Sequence, residues 1–428
     1  MLLCGSRGRI YLARMAEGKY GSIMKVVVLH LDRGVSSVFY RAAQPYGHLR
    51  DVQGKDMAIY NLITHDKEQL RNGINLADIV IFLNPYSESE YKLIKAIMGR
   101  KDKDQITVAD YDDDPFNVGP WNPAYDKFGT KEVGDLHLDK EQVDVLMPRL
   151  EEKHRDLLQM NPDGSAIVHI WKDKHENFIW KGKSEKPIYF DIEDNLIRLK
   201  RVQNIMREVD LLTAATLQLA NELRKYRPEG KITVMPNLID FERHLPMKKI
   251  NDGKLRIVWQ GGSSHYIDLT MVKNELISFA KEHPEIEYVF QGAKFPAIFH
   301  EIKDRVKWIP WHEDINTYPL SLRELSGDIA ICPLTEDAFN YGKSPLKWEE
   351  MSAMKVPCVC SPTVYGNFIE HGKTGFIARQ GEWGTYLGKL LEPDLREMIG
   401  QNAYDEVKTK FSLENAAMYW SAIEDLFS

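Results

Sequence analysis

Lys343, Ser344, Lys347 and Glu350 fall close together in the run Lys343-Ser-Pro-Leu-Lys-Trp-Glu-Glu-Met-Ser-Ala-Met-Lys-Val-Pro-Cys-Val-Cys-Ser361. The run reads as a helix over 345–354 followed by a strand. Lys343 and Lys347 are one turn apart, and two ammonium groups that close repel unless an anion sits between them. A helix N-terminus with a hydroxyl and an ammonium beside it suits a phosphate. Glu350, further along the helix, can accept hydrogen bonds from sugar hydroxyls. Phosphate donors followed by a carboxylate are what a nucleotide-sugar pocket needs. Gly261-Gly262-Ser263-Ser264 adds a second phosphate candidate, because it joins a strand to a helix and glycine lets a ligand approach backbone amides closely. His265 and Asp268 follow at helical spacing and share a face. His265 is expected either to touch sugar or phosphate or to cap the helix.

The second unusual stretch is Asp110-Tyr-Asp-Asp-Asp114. It ends a strand over 106–109 and so lies at a carboxyl edge, where open parallel sheets bind ligands. Three roles fit it. Contact with an acceptor or catalysis, through Asp112 and Asp113, ranks first; a loop whose carboxylates cap local amides ranks second; a hard-metal site ranks third. Asp32-Arg-Gly34, with Arg41 in the next helix, reads equally as a cleft-facing loop and as a turn with a surface arginine. The tract 121–186 carries Trp121, Trp171 and Trp180 among charged residues, fit for stacking on sugars or for filling a core. Arg198, Lys200, Arg201 and Arg207 read as a solvated helix face.

Apolar strand candidates at 26–31, 57–62, 79–83, 106–109, 211–213 and 232–235 alternate with helix-length segments, and so do those at 255–260, 286–291, 306–309, 329–333 and 358–361. That alternation predicts parallel sheets in two doubly wound domains. The expected division is 24–240, a linker at 241–253, 254–411, and a terminal helix at 412–428 that crosses back. Residues 1–23 are basic and lack the apolar stretch of a secretion signal. Met24, just before the first strand, is expected to be the functional start, with a disordered extension before it; an organellar leader is the weaker alternative.

These motifs resemble the donor half of GT-B glycosyltransferases, in which two Rossmann-like domains face each other across a cleft. The closest resemblance is to the retaining family-four (group 1) enzymes. Their usual signature has two Glu residues; here the second matches Glu350, and Gly342 stands where the first would be. The pattern Asn340-x-x-Lys343-Ser344-x-x-Lys347-x-x-Glu350 instead resembles a bacterial and phage variant. Val234-Met-Pro-Asn-Leu-Ile-Asp240 resembles the interdomain segment of that fold, and His371-Gly-Lys-Thr-Gly-Phe376 the turn after the donor helix. The resemblance implies transfer of a sugar, with retention, from a nucleotide diphosphate-sugar (UDP-sugar type). Gly261, Gly262, Ser263, His265, Asn340, Lys343, Ser344, Lys347 and Glu350 would hold the donor. Lys343, Asp112 and Asp113 would serve catalysis, with no metal and no further cofactor. The acceptor stays open among glycan, protein, small molecule and modified DNA. Two rivals are a transferase acting on modified DNA bases and a non-catalytic sugar-binding or scaffolding protein of the same fold.

With 428 residues, 43% hydrophobic and 28% charged, the chain has the composition of a soluble globular protein of two domains. Its net charge of −7 argues against a broad electrostatic grip on nucleic acid. No apolar run approaches the ~18 residues needed to span a bilayer. Cys4, Cys332, Cys358 and Cys360 lack metal-ligand spacing along the chain and read as buried thiols of a cytoplasmic protein.

Overall fold

In a computed structural model of the chain, the residues described are 24–31, 35–100, 105–119, 122, 124–130, 136–147, 158–168, 191–262, 265–292, 297–312 and 314–424. Expectations for Cys4, Asp32 to Gly34, Trp121, Trp171, Trp180, Ser263 and Ser264 lie outside them.

The first sheet contains β1 (Lys25–His30), β2 (Asp56–Asn61), β3 (Ile79–Leu83), β4 (Ile106–Tyr111), β8 (Leu211–Ala214) and β9 (Lys231–Val234), in the order β2-β1-β3-β4-β8-β9. The second contains β10 (Leu255–Gly261), β11 (Ile286–Gly292), β12 (Val306–Pro310), β13 (Ile329–Cys332), β14 (Cys358–Cys360) and β15 (Phe376–Ile377), in the order β12-β11-β10-β13-β14-β15. Every pairing within both sheets is parallel. All eleven strands expected from the sequence are present. β15 was not expected, nor was a small antiparallel sheet β5-β7-β6, built from β5 (Leu136–Leu138), β6 (Leu158–Met160) and β7 (Ala166–Val168).

The central strands are buried on both faces, which is why they read as unbroken apolar runs. Val27 and Leu29 face one core layer of the first sheet; Val26 and Val28 face the other. In the second sheet Ile257 and Trp259 pack on one side and Val258 on the other. Strand order reverses at β1/β3 and at β10/β13. At such points the flanking helices diverge and a crevice opens beyond the carboxyl ends.

After the Pro393–Phe411 helix the chain returns to the first sheet. Ile239 and Ser412 pair side by side, with Ile239 N–H donating to Phe411 O (2.7 Å) and Leu413 N–H to Ile239 O (2.9 Å). The last helix, Ala416–Glu424, buries Trp420 and Ile423 against Tyr46 and Leu49, within the core of the first sheet. Among the described residues no helix is long and apolar enough to cross a membrane.

Candidate functional site

A cavity of about 300 Å³ opens where the carboxyl ends of the two sheets face each other. Its second-domain wall starts at the end of β10. A Cβ on Gly261 would lie 2.5 Å from the Trp259 ring, so only glycine fits there; Gly262 has nothing within 4 Å of where its Cβ would be, and its backbone is open to the cavity. Beyond β13, Asp337 caps a short helix (Ala338–Tyr341) by accepting from Asn340 N–H at 2.8 Å. The chain then turns through Lys343 and Ser344 into the Leu346–Ala353 helix.

Lys347 projects from the first turn of that helix into the cavity wall. Its ammonium is buried, has no hydrogen-bond partner, and lies 5.9 Å from the centre of the Trp259 ring. Burial draws its pKa down to about 8. Lys343 reaches across the cleft: its Nζ donates to Asp113 Oδ1 at 3.2 Å and sits 4.5 Å from the Phe339 ring centre. His265 Nδ1 is 2.7 Å from Asp268 Oδ2, and Asp268 Oδ1 accepts from Thr335 N–H at 2.9 Å. Burial, then the Lys347 charge, lowers the imidazole to about 4. The ring is therefore neutral, donates from Nδ1 to Asp268, and keeps a lone pair on Nε2.

Glu350 lies at the back of the cavity. Its Oε1 accepts from Tyr40 Oη (2.5 Å) and its Oε2 from Gln260 Nε2 (2.7 Å), while Tyr318 Oη donates to Gln260 Oε1 (2.8 Å). Burial raises its carboxyl to about 7. The neighbouring Glu349 is also buried, and neither of its oxygens has a partner. Burial and the Glu350 charge push it well above the usual carboxylate range.

The first-domain wall divides the aspartate run by role. Asp110 is buried and takes both ends of the Arg41 guanidinium (2.9 and 2.5 Å) together with Thr213 Oγ1 (2.5 Å). Arg41 also donates to Met235 O and to Asn237 Oδ1 (3.2 Å), and Asn237 Nδ2 donates to Ser344 Oγ (3.0 Å). Asp114 is a loop staple, accepting from Phe116 N–H (2.9 Å) and Asn117 Nδ2 (2.7 Å). Asp112 and Asp113 face the cavity. Asn84, with a left-handed φ of 45°, holds that loop by accepting from Asp112 N–H at 3.2 Å. Burial, then the Asp113 charge, raises Asp112 to about 6.

Gly261, Gly262, His265, Lys343, Ser344, Lys347 and Glu350 thus line one cavity with Asp112 and Asp113. Asn340 does not: its amide is consumed by Thr335 O (3.1 Å), Thr335 Oγ1 (2.9 Å) and Asp337 Oδ2 (3.0 Å). Arg41 is neither cleft-facing nor on the surface; it is 5% exposed and locked to Asp110. The sequence reading passed over Tyr40, Gln260 and Tyr318, because their roles depend on contacts up to 310 positions away. One local signal did exist. Tyr40 lies in a π-helical turn, Phe39–Ala43, and such turns gather at functional sites.

No protein-family model and no curated protein matches the chain. Solved structures do. HepE of Anabaena in complex with UDP overlays with a TM-score of 0.55 at 11% identity, over 94% of this chain and 100% of that one. Sucrose-phosphate synthase from Thermosynechococcus elongatus gives 0.54 at 9% identity, over 94% and 98%. A glycosyltransferase from Rickettsia africae gives 0.51 at 12% identity, over 94% and 98%. The chain spans 54% of the length of TarM, with a TM-score of 0.46. At these identities the likeness is one of fold: the chain has the two-domain GT-B architecture.

Proposed function

We propose that this protein is a glycosyltransferase that moves a sugar from a nucleoside diphosphate-sugar to an acceptor hydroxyl, with retention. The observation that carries this reading is the buried, unpartnered Lys347 ammonium in the wall of a cleft between two Rossmann-like domains. A buried cation without an acceptor is costly, and an anion in the cavity removes that cost. The diphosphate would lie against Lys347, the first amides of the Leu346–Ala353 helix and the Gly261-Gly262 backbone. Glu350, at the back of the cavity, would take nucleoside or sugar hydroxyls.

As the glycosidic bond breaks, charge grows on the departing diphosphate. Lys347 and the helix amides would stabilise it without reorganising, joined by Lys343 once it lets go of Asp113. The acceptor attacks the same face, and a leaving phosphate oxygen takes its proton. Asp112 and Asp113 would hold the acceptor hydroxyl. Among the described residues, the first-domain wall offers Ser36, Ser37, Tyr40, Asp112, Asp113 and Asn237 and no cation. That wall favours a neutral hydroxyl acceptor over a phosphodiester chain. Phosphate charge met by lysines and amides leaves no need for a metal, and the buried thiols Cys332, Cys358 and Cys360 suit a reducing cytoplasm.

Calorimetric titration with UDP, GDP and ADP tests this reading. One nucleoside diphosphate is expected to bind the wild type in the presence of chelator. Lys347→Met should weaken it about 10- to 150-fold, the equivalent of one charge-assisted hydrogen bond. If no nucleoside diphosphate or sugar conjugate raises the melting temperature, the donor reading is wrong.

A further inference from the structure

Beneath the cavity floor lies a group of side chains that the transfer reaction does not use. Cys332 ends β13, and Cys358 and Cys360 lie on the neighbouring β14, with Cys332 directly opposite Cys360. Strand alternation turns all three thiols to one face of the sheet, toward Trp348 and Met351, while Ile331 and Val359 face the other. All three are at most 1% exposed, and their sulfur atoms lie within 4.8 Å of one another. Spacing along the chain hides the group, because Cys332 joins it only through strand pairing.

We propose that Cys332, Cys358 and Cys360 form a three-coordinate thiolate site for a soft monovalent cation, Cu(I). A metal–sulfur bond of about 2.3 Å places the three sulfurs of a trigonal site about 4 Å apart, so a small contraction of the present arrangement closes it. Among the described residues, no imidazole or carboxylate joins the group as a fourth ligand. Zinc in structural sites takes four ligands, whereas all-sulfur surroundings select Cu(I) among the soft ions. Binding releases the thiol protons to solvent and leaves a complex of net negative charge; no electron is transferred. The buried Lys347 ammonium, which interacts electrostatically with Cys332, supplies the counter-charge. Lys347 and Tyr365 both stand in the cavity wall and both interact electrostatically with Cys332, so the thiol group neighbours the cavity. The loaded site would draw on the same ammonium as an anion in the cavity above.

The test uses reduced full-length protein carrying Cys4→Ser, titrated with Cu(I) under ascorbate against bicinchoninate as competitor. One equivalent is expected to transfer to the protein, with a near-ultraviolet thiolate-to-copper band. Cys332→Ser and Cys360→Ser should each weaken retention at least tenfold while melting as cooperatively as the parent. Zn(II) at the same concentration should not displace the copper. The outcome that overturns the proposal is a folded parent protein that leaves all copper with bicinchoninate. Equal retention in the cysteine variants, or loss of two thiols as a disulfide without copper uptake, overturns it too. The readout is independent of the donor reading, since neither nucleotide nor transfer enters it.

Discussion

Glu350 sits at the meeting point of a tyrosine hydroxyl, a glutamine amide and a buried environment, and the balance among them sets its charge. Burial raises it to about 7, while the Tyr40 and Gln260 hydrogen bonds favour the ionised form. If the carboxylate must accept from ligand hydroxyls, transfer should rise with pH through an apparent pKa near 7. Tyr40→Phe removes a bond that holds the carboxyl down, so the acid limb should move to higher pH; Glu350→Gln should abolish that limb. A pH–rate profile unchanged by Tyr40→Phe would take Glu350 out of that role. Glu349 makes a stability argument instead. Its folded pKa is raised, so the unfolded chain gives up the proton more readily. The stability it contributes is present below about 4.5 and is lost as pH rises toward the folded value. Glu349→Met should stabilise by about 1–3 kcal/mol, more at pH 8 than at pH 5, as read by urea unfolding. Glu350 leaves a residual decline between 4.5 and 7. The sequence reading gives Lys343 both a donor-binding and a catalytic role, and nothing in the local pattern shows that Asp113, 230 positions earlier, already meets it.

The strands were legible because β1, β3, β10 and β11 are covered on both faces and leave long apolar runs. β5, β6 and β7 were not: three-residue strands among charged residues carry too little period to read. The aspartate run was legible as a cleft loop from its place at the end of β4. Its division into two hydrogen-bonded anchors, Asp110 and Asp114, and two cavity carboxylates depends on Arg41, Asn84 and Asn117, which the local pattern does not pair. Helix packing carries its own constraint. The Pro393–Phe411 helix crosses the end of the Leu346–Ala353 helix so closely that a Cβ on Gly400 would lie 2.5 Å from the Lys355 carbonyl oxygen. Gly400→Ala forces that backbone aside and should destabilise by about 1–3 kcal/mol in urea. An unchanged unfolding midpoint would mean the two helices separate without cost.

Across the whole molecule, contacts bridge the cleft at Tyr40–Glu350, Asp113–Lys343, Asn237–Ser344 and Thr216–Gly342. The last helix belongs energetically to the first sheet, where Trp420 meets Tyr46 edge-on at 5.9 Å and Lys55 pairs with Glu424 at 2.9 Å. Trp420→Ala, which should cost about 3–5 kcal/mol, is therefore expected to loosen hydrogen-exchange protection in β1 and β3 and to leave β10 and β13 protected. Equal loss in both sheets would mean that the two cores unfold as one. The side-by-side pairing of Ile239 and Ser412 has a mechanical consequence. The chain passes between the domains twice, and the two passages are bonded together at one place. A single tether would let the halves twist and slide; two bonded tethers behave as a door hinge, leaving one axis about which the cleft can swing.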